Sequence, residues 1–110
     1  MQYIIPCVPV SGNRLERMHW AVRHKYNIDW AWRVKVAGFE TITPQPIKRT
    51  VNIHQVRRRK LDKDNLYFSV KPIVDALKNM GVLWDDCEEY ANLNVTQETG
   101  KPVRTLIEVI

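Results

Sequence analysis

The chain has 110 residues, 45% of them hydrophobic, with 17 Lys and Arg against 12 Asp and Glu for a formal net charge of +5. This length supports one domain with its own core and leaves no room for a second, and no apolar run approaches the roughly 20 residues that span a bilayer. The basic balance favours a polyanionic partner, while two distant cysteines, Cys7 and Cys87, exclude a disulfide framework, and the scattered His19, His24 and His54 offer no zinc spacing.

Residues 2–10 are rich in β-branched and aromatic side chains and end at Ser11-Gly12-Asn13, a turn signal. They read as a strand, with Pro6 and Pro9 placing it at an edge or keeping it short. The same segment lacks the cationic start and long apolar core of a signal peptide, so it reads as the first strand of a cytoplasmic protein. Residues 17–39 read as a helix: Val22, Tyr26, Trp30, Val34 and Ala37 recur on one face, and Ile28 and Trp32 widen it. Residues 41–50 hold Pro44 and Pro46 and read as a loop, and 51–57 as a strand of imperfect alternation. From 65 to 80, Leu66, Ser69, Val70, Ile73, Leu77 and Met80 trace an amphipathic helix stopped by Gly81, and Pro72 predicts a kink inside it. Residues 90–97 and 103–110 read as two strands joined across Thr99-Gly100-Lys101-Pro102 as a hairpin. The order βαβαββ makes residues 1–110 one α+β domain, with two helices packed on a mixed sheet. Both thiols are expected reduced and partly buried.

The chemistry-bearing stretch is 57–86. Arg57, Arg58, Arg59 and Lys60, with Lys63 beyond, lead directly into Asp62 and Asp64. On an extended backbone, side chains two apart share a face, and two carboxylates there can bind one hard divalent cation through oxygen. The same spacing equally describes Asp64 as a helix N-cap and Asp62 as a solvated turn residue. Lys71 follows Asp64 by seven residues, close to two helical turns, and stands four before Asp75, where it can form a plain i, i+4 ion pair. An ammonium beside a metal site can stabilise charge on a leaving oxygen. Asp85-Asp86, after Gly81, supplies a third carboxylate if the chain folds back along the helix, and otherwise a simple acidic turn. The cations 57–60 and 63 can form a phosphate-gripping rim, providing affinity and register but no base recognition, or a solvated basic edge.

Taken together, Asp62-x-Asp64-Asn65, Lys71-x-x-x-Asp75-Ala76-Leu77 and Gly81-x-x-x-Asp85-Asp86 resemble the RusA-type Holliday junction resolvases, and Ser11-x-Asn13 followed by His19-Trp20 is similar to N-terminal segments of that family. The resemblance covers most of the chain and is sharpest over 57–86. It implies a small homodimeric, Mg²⁺-dependent endodeoxyribonuclease that resolves four-way DNA junctions by paired strand cleavage in recombination and repair, working at the nucleoid. It implies Asp62, Asp64 and Asp86 as the acidic metal site and Lys71 as the catalytic lysine, with in-line attack by water leaving 5′-phosphate ends. Asp64 to Lys71 is three residues longer than in the best-known member, whereas Lys71 to Asp75 keeps the family spacing. Trp30, Trp32 and Trp84 are candidates for the dimer surface, with core packing the expected home of most of them. The competing readings are a binding module of the same fold that holds branched DNA without cutting it, a metal-dependent phosphohydrolase acting on a small nucleotide, and a basic structural protein in which the aspartates only cap helices.

Overall fold

The computed structural model describes residues 2–110; Met1, the first residue of the expected domain, lies outside them. The elements in chain order are β1 (Gln2–Ile5), α1 (Gly12–Arg17), α2 (Trp20–Ala37), β2 (Arg49–Arg57), α3 (Lys63–Ser69), α4 (Lys71–Asn79), β3 (Ala91–Thr99) and β4 (Arg104–Val109). The four strands form one mixed sheet in the order β1-β4-β2-β3, with β2 parallel to β3 and antiparallel to β4. This is a small single-domain α+β fold. None of its described helices is long and apolar enough to cross a membrane.

Alternation along β2 decides which face of the sheet is covered. Val51, Ile53 and Gln55 are buried on one face, while Asn52 and His54 turn to the other. Val51 and Ile53 of the first set share the core with Trp30 and Val34 of α2, Ile73 and Leu77 of α4, and Ile107 of β4. Full burial of each such aliphatic side chain contributes about 1.5–3 kcal/mol. The second set belongs to a polar face, on which Asn52 donates to Glu108 at 2.9 Å and accepts from Asn94 at 2.9 Å.

Several expectations are corrected here. The final two strands are not a hairpin: β3 and β4 lie on opposite sides of β2, and the Gly100 N–H donates to the Arg57 carbonyl at 2.9 Å, so the link passes over the end of β2. β2 is the most enclosed strand, and its buried backbone groups need a ladder on both sides; a tight β3–β4 hairpin would leave one side bare. The first strand ends at Ile5, because Pro6 cannot donate to a ladder. Beyond it the chain is held by side chains: Thr105 Oγ1 donates to the Cys7 carbonyl at 2.7 Å, and the Val10 N–H donates to the Tyr26 hydroxyl at 2.9 Å.

The expected helix 17–39 breaks at Met18 and His19. Ser11 Oγ caps α1 through the Arg14 N–H at 3.2 Å, and His19 Nδ1 caps α2 through the Ala21 N–H at 3.3 Å. The stripe on α2 is narrower than its sequence implies. Trp30 and Val34 are buried, but Val22, Ile28 and Trp32 are exposed, Trp32 to 60%. Trp84 is also exposed, so of the three candidates for the dimer surface only Trp30 serves the core. Cys7 is half-buried, and burial pushes its thiol pKa up against the opposing pull of Arg33. Cys87 is exposed rather than partly buried.

The kink expected at Pro72 is a full break. Val70, at φ −89° and ψ 0°, ends α3 and caps α4. Pro72 then occupies the first turn of α4, where a missing N–H costs no intrahelical bond. At the far end α4 closes with the Val82 N–H on the Leu77 carbonyl and the Gly81 N–H on the Lys78 carbonyl, both at 3.0 Å. That is a Schellman closure, with Gly81 at φ 83°.

Candidate active site

Asp62, not Asp64, is the N-cap of α3. One carboxylate oxygen accepts from the Asn65 backbone N–H at 2.9 Å and the other from the Asn65 side-chain amide at 2.7 Å. Asn65 in turn accepts the Asn13 backbone N–H on its Oδ1 at 2.8 Å. One amide therefore joins the Ser11-Gly12-Asn13 turn to the aspartate segment 52 residues further along the chain. Glycine at position 12 permits this contact: an added Cβ would lie 2.7 Å from the Phe68 Cβ and 3.2 Å from the Asn65 carbonyl oxygen.

The donors on Asp62 hold its carboxyl below the usual aspartate range, the Asn65 N–H contributing most and the Asn65 amide next. A carboxyl whose folded-state pKa is depressed adds stability above the ordinary range near 3.9, and that contribution disappears as pH falls through the depressed value. Replacing Asn65 by alanine removes the side-chain donor and keeps the backbone one. The Asp62 titration, followed by NMR of its carboxyl carbon, is expected to move upward toward the ordinary range; an unchanged midpoint would show that the amide contributes nothing.

Asp64 lies within the first turn of α3, where its charge favours the positive end of the helix. Because Lys63 is already helical, Asp62 and Asp64 are not on a shared extended face; residues two apart on a helix point to different sides. The break at Val70 likewise removes the uninterrupted two-turn relation of Asp64 to Lys71.

Lys71 opens α4 and lies 3.6 Å from Asp75, one turn on. These two and Asp86 line a hollow of about 160 Å³, whose apolar walls come from Tyr67, Phe68, Val70, Val74 and Leu93. Asp86 reaches the start of α4 because the helix is short. Nine residues rise about 13 Å, and the six residues from 81 to 86 can span up to about 20 Å when extended. Asp85 is occupied elsewhere: it accepts the Asp86 N–H at 2.8 Å and meets the Lys78 ammonium at 3.2 Å. The Asp86 N–H and then Lys78 hold its carboxyl below the usual range, and Asp85 raises the pKa of Lys78. Of the two adjacent aspartates, Asp86 faces the hollow.

Arg58, Arg59, Lys60 and Lys63 are exposed. Arg57 is not part of that rim. It falls on the inward register of β2 after Val51, Ile53 and Gln55, and its Nη1 donates to the Pro9 carbonyl at 2.8 Å and to Gln55 Oε1 at 2.7 Å. Burial lowers its pKa, and its Nε is buried with no hydrogen-bond partner among the described residues. Arg57 thus braces the interior. Gln55 extends the brace by donating to Ser69 Oγ at 2.9 Å. Gln97 fastens the segment that follows, accepting the Leu61 N–H at 3.0 Å and donating to the Leu61 carbonyl at 2.7 Å. Neither glutamine is part of the motif read from sequence; the available signal for Gln55 is an amide on the inward register of an otherwise apolar strand.

Among the described residues, no three His, Cys, Asp or Glu side chains form a group able to hold a metal ion. Asp62, Asp64 and Asp86 therefore do not make a preassembled protein cage. They remain hard oxygen donors on exposed positions, and Mg²⁺ is commonly held by one or two carboxylates, with substrate phosphate and water completing its shell. The donor chemistry fits an ion shared with a phosphate. No family model matches the chain, and no curated protein matches it.

Proposed function

We propose that this chain is a Mg²⁺-dependent, structure-selective endodeoxyribonuclease of the RusA type that resolves four-way DNA junctions by paired strand cleavage, acting as a homodimer at the nucleoid in recombination and repair. The observation that carries this reading is the hollow at the start of α4, where Lys71, Asp75 and Asp86 stand together although Asp86 is 15 residues beyond Lys71 in the chain. In this reading Arg58, Arg59, Lys60 and Lys63 grip phosphates and set register. Asp62 and Asp64 at the start of α3, with Asp86 from the return segment, would hold Mg²⁺ together with the scissile phosphate. Asn65 holds the Asp62 carboxylate in place through both oxygens. Lys71, held by Asp75, presents its ammonium to the oxygen that leaves. Bound Mg²⁺ supplies Lewis-acid polarisation and a water of lowered pKa. Two sites related by a two-fold axis account for paired cuts.

The dispersal of the carboxylates favours a second reading, a protein of the same fold that binds branched DNA without cutting it. One experiment separates the two. A synthetic four-way junction and its matched linear duplex are incubated with wild type and Asp64→Asn, in Mg²⁺ and in EDTA. Paired nicks confined to the junction, requiring Mg²⁺ and lost in the variant, are expected. Tight junction binding without nicks would establish the second reading, and neither binding nor cutting would remove both.

A further inference from the structure

α3 places two aromatic residues in succession on its outer side. Leu66, Ser69 and Val70 take the buried positions, leaving Tyr67 53% and Phe68 50% exposed. Their rings meet edge to face, with centroids 6.2 Å apart and planes at 83°. An aromatic side chain carries a large apolar area, so two half-exposed neighbours forgo burial that the core would have rewarded. They are also walls, with Leu93, of the hollow that Lys71, Asp75 and Asp86 line. Tyr67 continues into an adjoining depression shared with Lys48, Asp86 and Asn92.

This combination narrows the ligand. An aliphatic or peptide apolar group entering the hollow would strip water from an ammonium and two carboxylates without giving them partners. A planar aromatic ring with a hydrogen-bonding edge satisfies both parts: its face stacks on Tyr67 or Phe68 while its amino group meets Asp75, leaving Lys71 and Asp86 to the phosphate. Carboxylates accept from exocyclic amines such as cytosine N4. The cations 58–60 lie just before α3 and Lys63 opens it, and together they supply the electrostatic pull on a phosphate strand.

We propose that the hollow between Tyr67, Phe68 and Leu93 receives an unstacked, amino-bearing nucleobase. This deepens the nuclease reading and rests on it. Paired and stacked bases in intact duplex cannot enter, whereas a base splayed at a branch or in a single strand can. Stacking would then contribute to the preference for branched over linear DNA, separately from the phosphate contacts.

The test uses fluorescently labelled dC and dT oligonucleotides of equal length and a duplex of matched length, titrated by anisotropy at one salt concentration and neutral pH. Wild type is compared with Tyr67→Ala, Phe68→Ala and the ring-preserving Tyr67→Phe. Loss of a stacked base weakens binding about 5- to 150-fold. The expected pattern is a loss in that range for dC with at least one alanine variant, wild-type affinity for Tyr67→Phe, tighter wild-type binding of dC than dT, and unchanged duplex binding throughout. Because Phe68→Ala keeps the Cβ that abuts Gly12, both alanine variants are expected to fold, which circular dichroism checks. Equal dC binding by wild type and both alanine variants would overturn the inference while leaving the nuclease reading intact. Equal affinity for dC and dT would overturn the amine recognition. Failure of wild type to bind either oligonucleotide would overturn this inference, whereas the reading beneath it falls only if the four-way junction is neither bound nor cut.

Discussion

Replacing Lys71 by alanine is expected to lower four-way junction cleavage by about 10²–10³-fold, the loss that follows removal of one group stabilising transition-state charge, while junction affinity and thermal stability stay close to wild type. The geometry separates these outcomes. The Lys71–Asp75 pair is exposed, with half of the lysine side chain in solvent, and exposed i, i+4 pairs contribute only about 0.3–0.5 kcal/mol to stability. Phosphate affinity is assigned to Arg58, Arg59, Lys60 and Lys63 on the preceding segment, not to α4. Asp75→Asn sharpens the comparison: it keeps the ammonium and loosens its anchor, so a smaller loss than Lys71→Ala is expected. Single-turnover cleavage measured beside equilibrium binding decides the matter. Equal losses of binding and cleavage would make Lys71 a phosphate contact, and no loss of either would remove it from the site.

Gly81→Ala is expected to be the most destabilising single-methyl change. At φ 83° an L-residue is strained by about 1–3 kcal/mol. The added Cβ would also collide with the Ile42 carbonyl oxygen, and that backbone is fixed by the Ile42 N–H donating to the Met80 carbonyl at 2.8 Å. Overpacking against immobile atoms costs about another 1–3 kcal/mol. A combined loss of about 3 kcal/mol corresponds to a melting temperature lower by roughly 10 °C or more for a domain of this size. Differential scanning calorimetry reads it directly. A shift under about 2 °C, less than 1 kcal/mol by the same relation, would mean that the Schellman turn and the 41–44 loop are not packed as found. The consequence reaches the site, because Gly81 begins the return segment that carries Asp86 to Lys71.

The readings that succeeded from sequence rest on local rules. Gly81 ends the second helical region, because a positive φ after an amphipathic run is a glycine position. Pro6 and Pro9 place the first strand short and at an edge, because they cannot donate to a ladder. The inward set Ile73 and Leu77, and Trp30 with Val34, followed from helical periodicity. Where periodicity was extended too far it failed: Ile28 and Trp32 fit the apolar stripe of α2, yet α2 packs through a narrower contact and leaves them in solvent. The hairpin reading failed for a different reason. A short Gly-Pro link between two strands is compatible with pairing either to each other or around a third strand, and the choice belongs to β2, more than 40 residues earlier.

At the candidate site the same division holds. The amino-acid sequence by itself determined which groups are available: a cationic run, aspartates at a helix start, a lysine one turn before a carboxylate, and an acidic return after a glycine stop. These depend on neighbours within a few residues, where sterics and capping hydrogen bonds act. Only the tertiary structure decided how they are used. It turned Arg57 inward because strand alternation set it behind Gln55, bound Asp62 to Asn65 and Asn65 to Asn13, gave Asp85 to Lys78, and left Asp86 lining the same hollow as Lys71. It also separated Asp62 from Asp64, because helix α3 begins one residue earlier than a shared extended face requires. For Arg57, Gln55 and Asn65, hydrogen bonds between residues 14 to 52 apart made those choices, and no local pattern encodes which distant partner a side chain will meet.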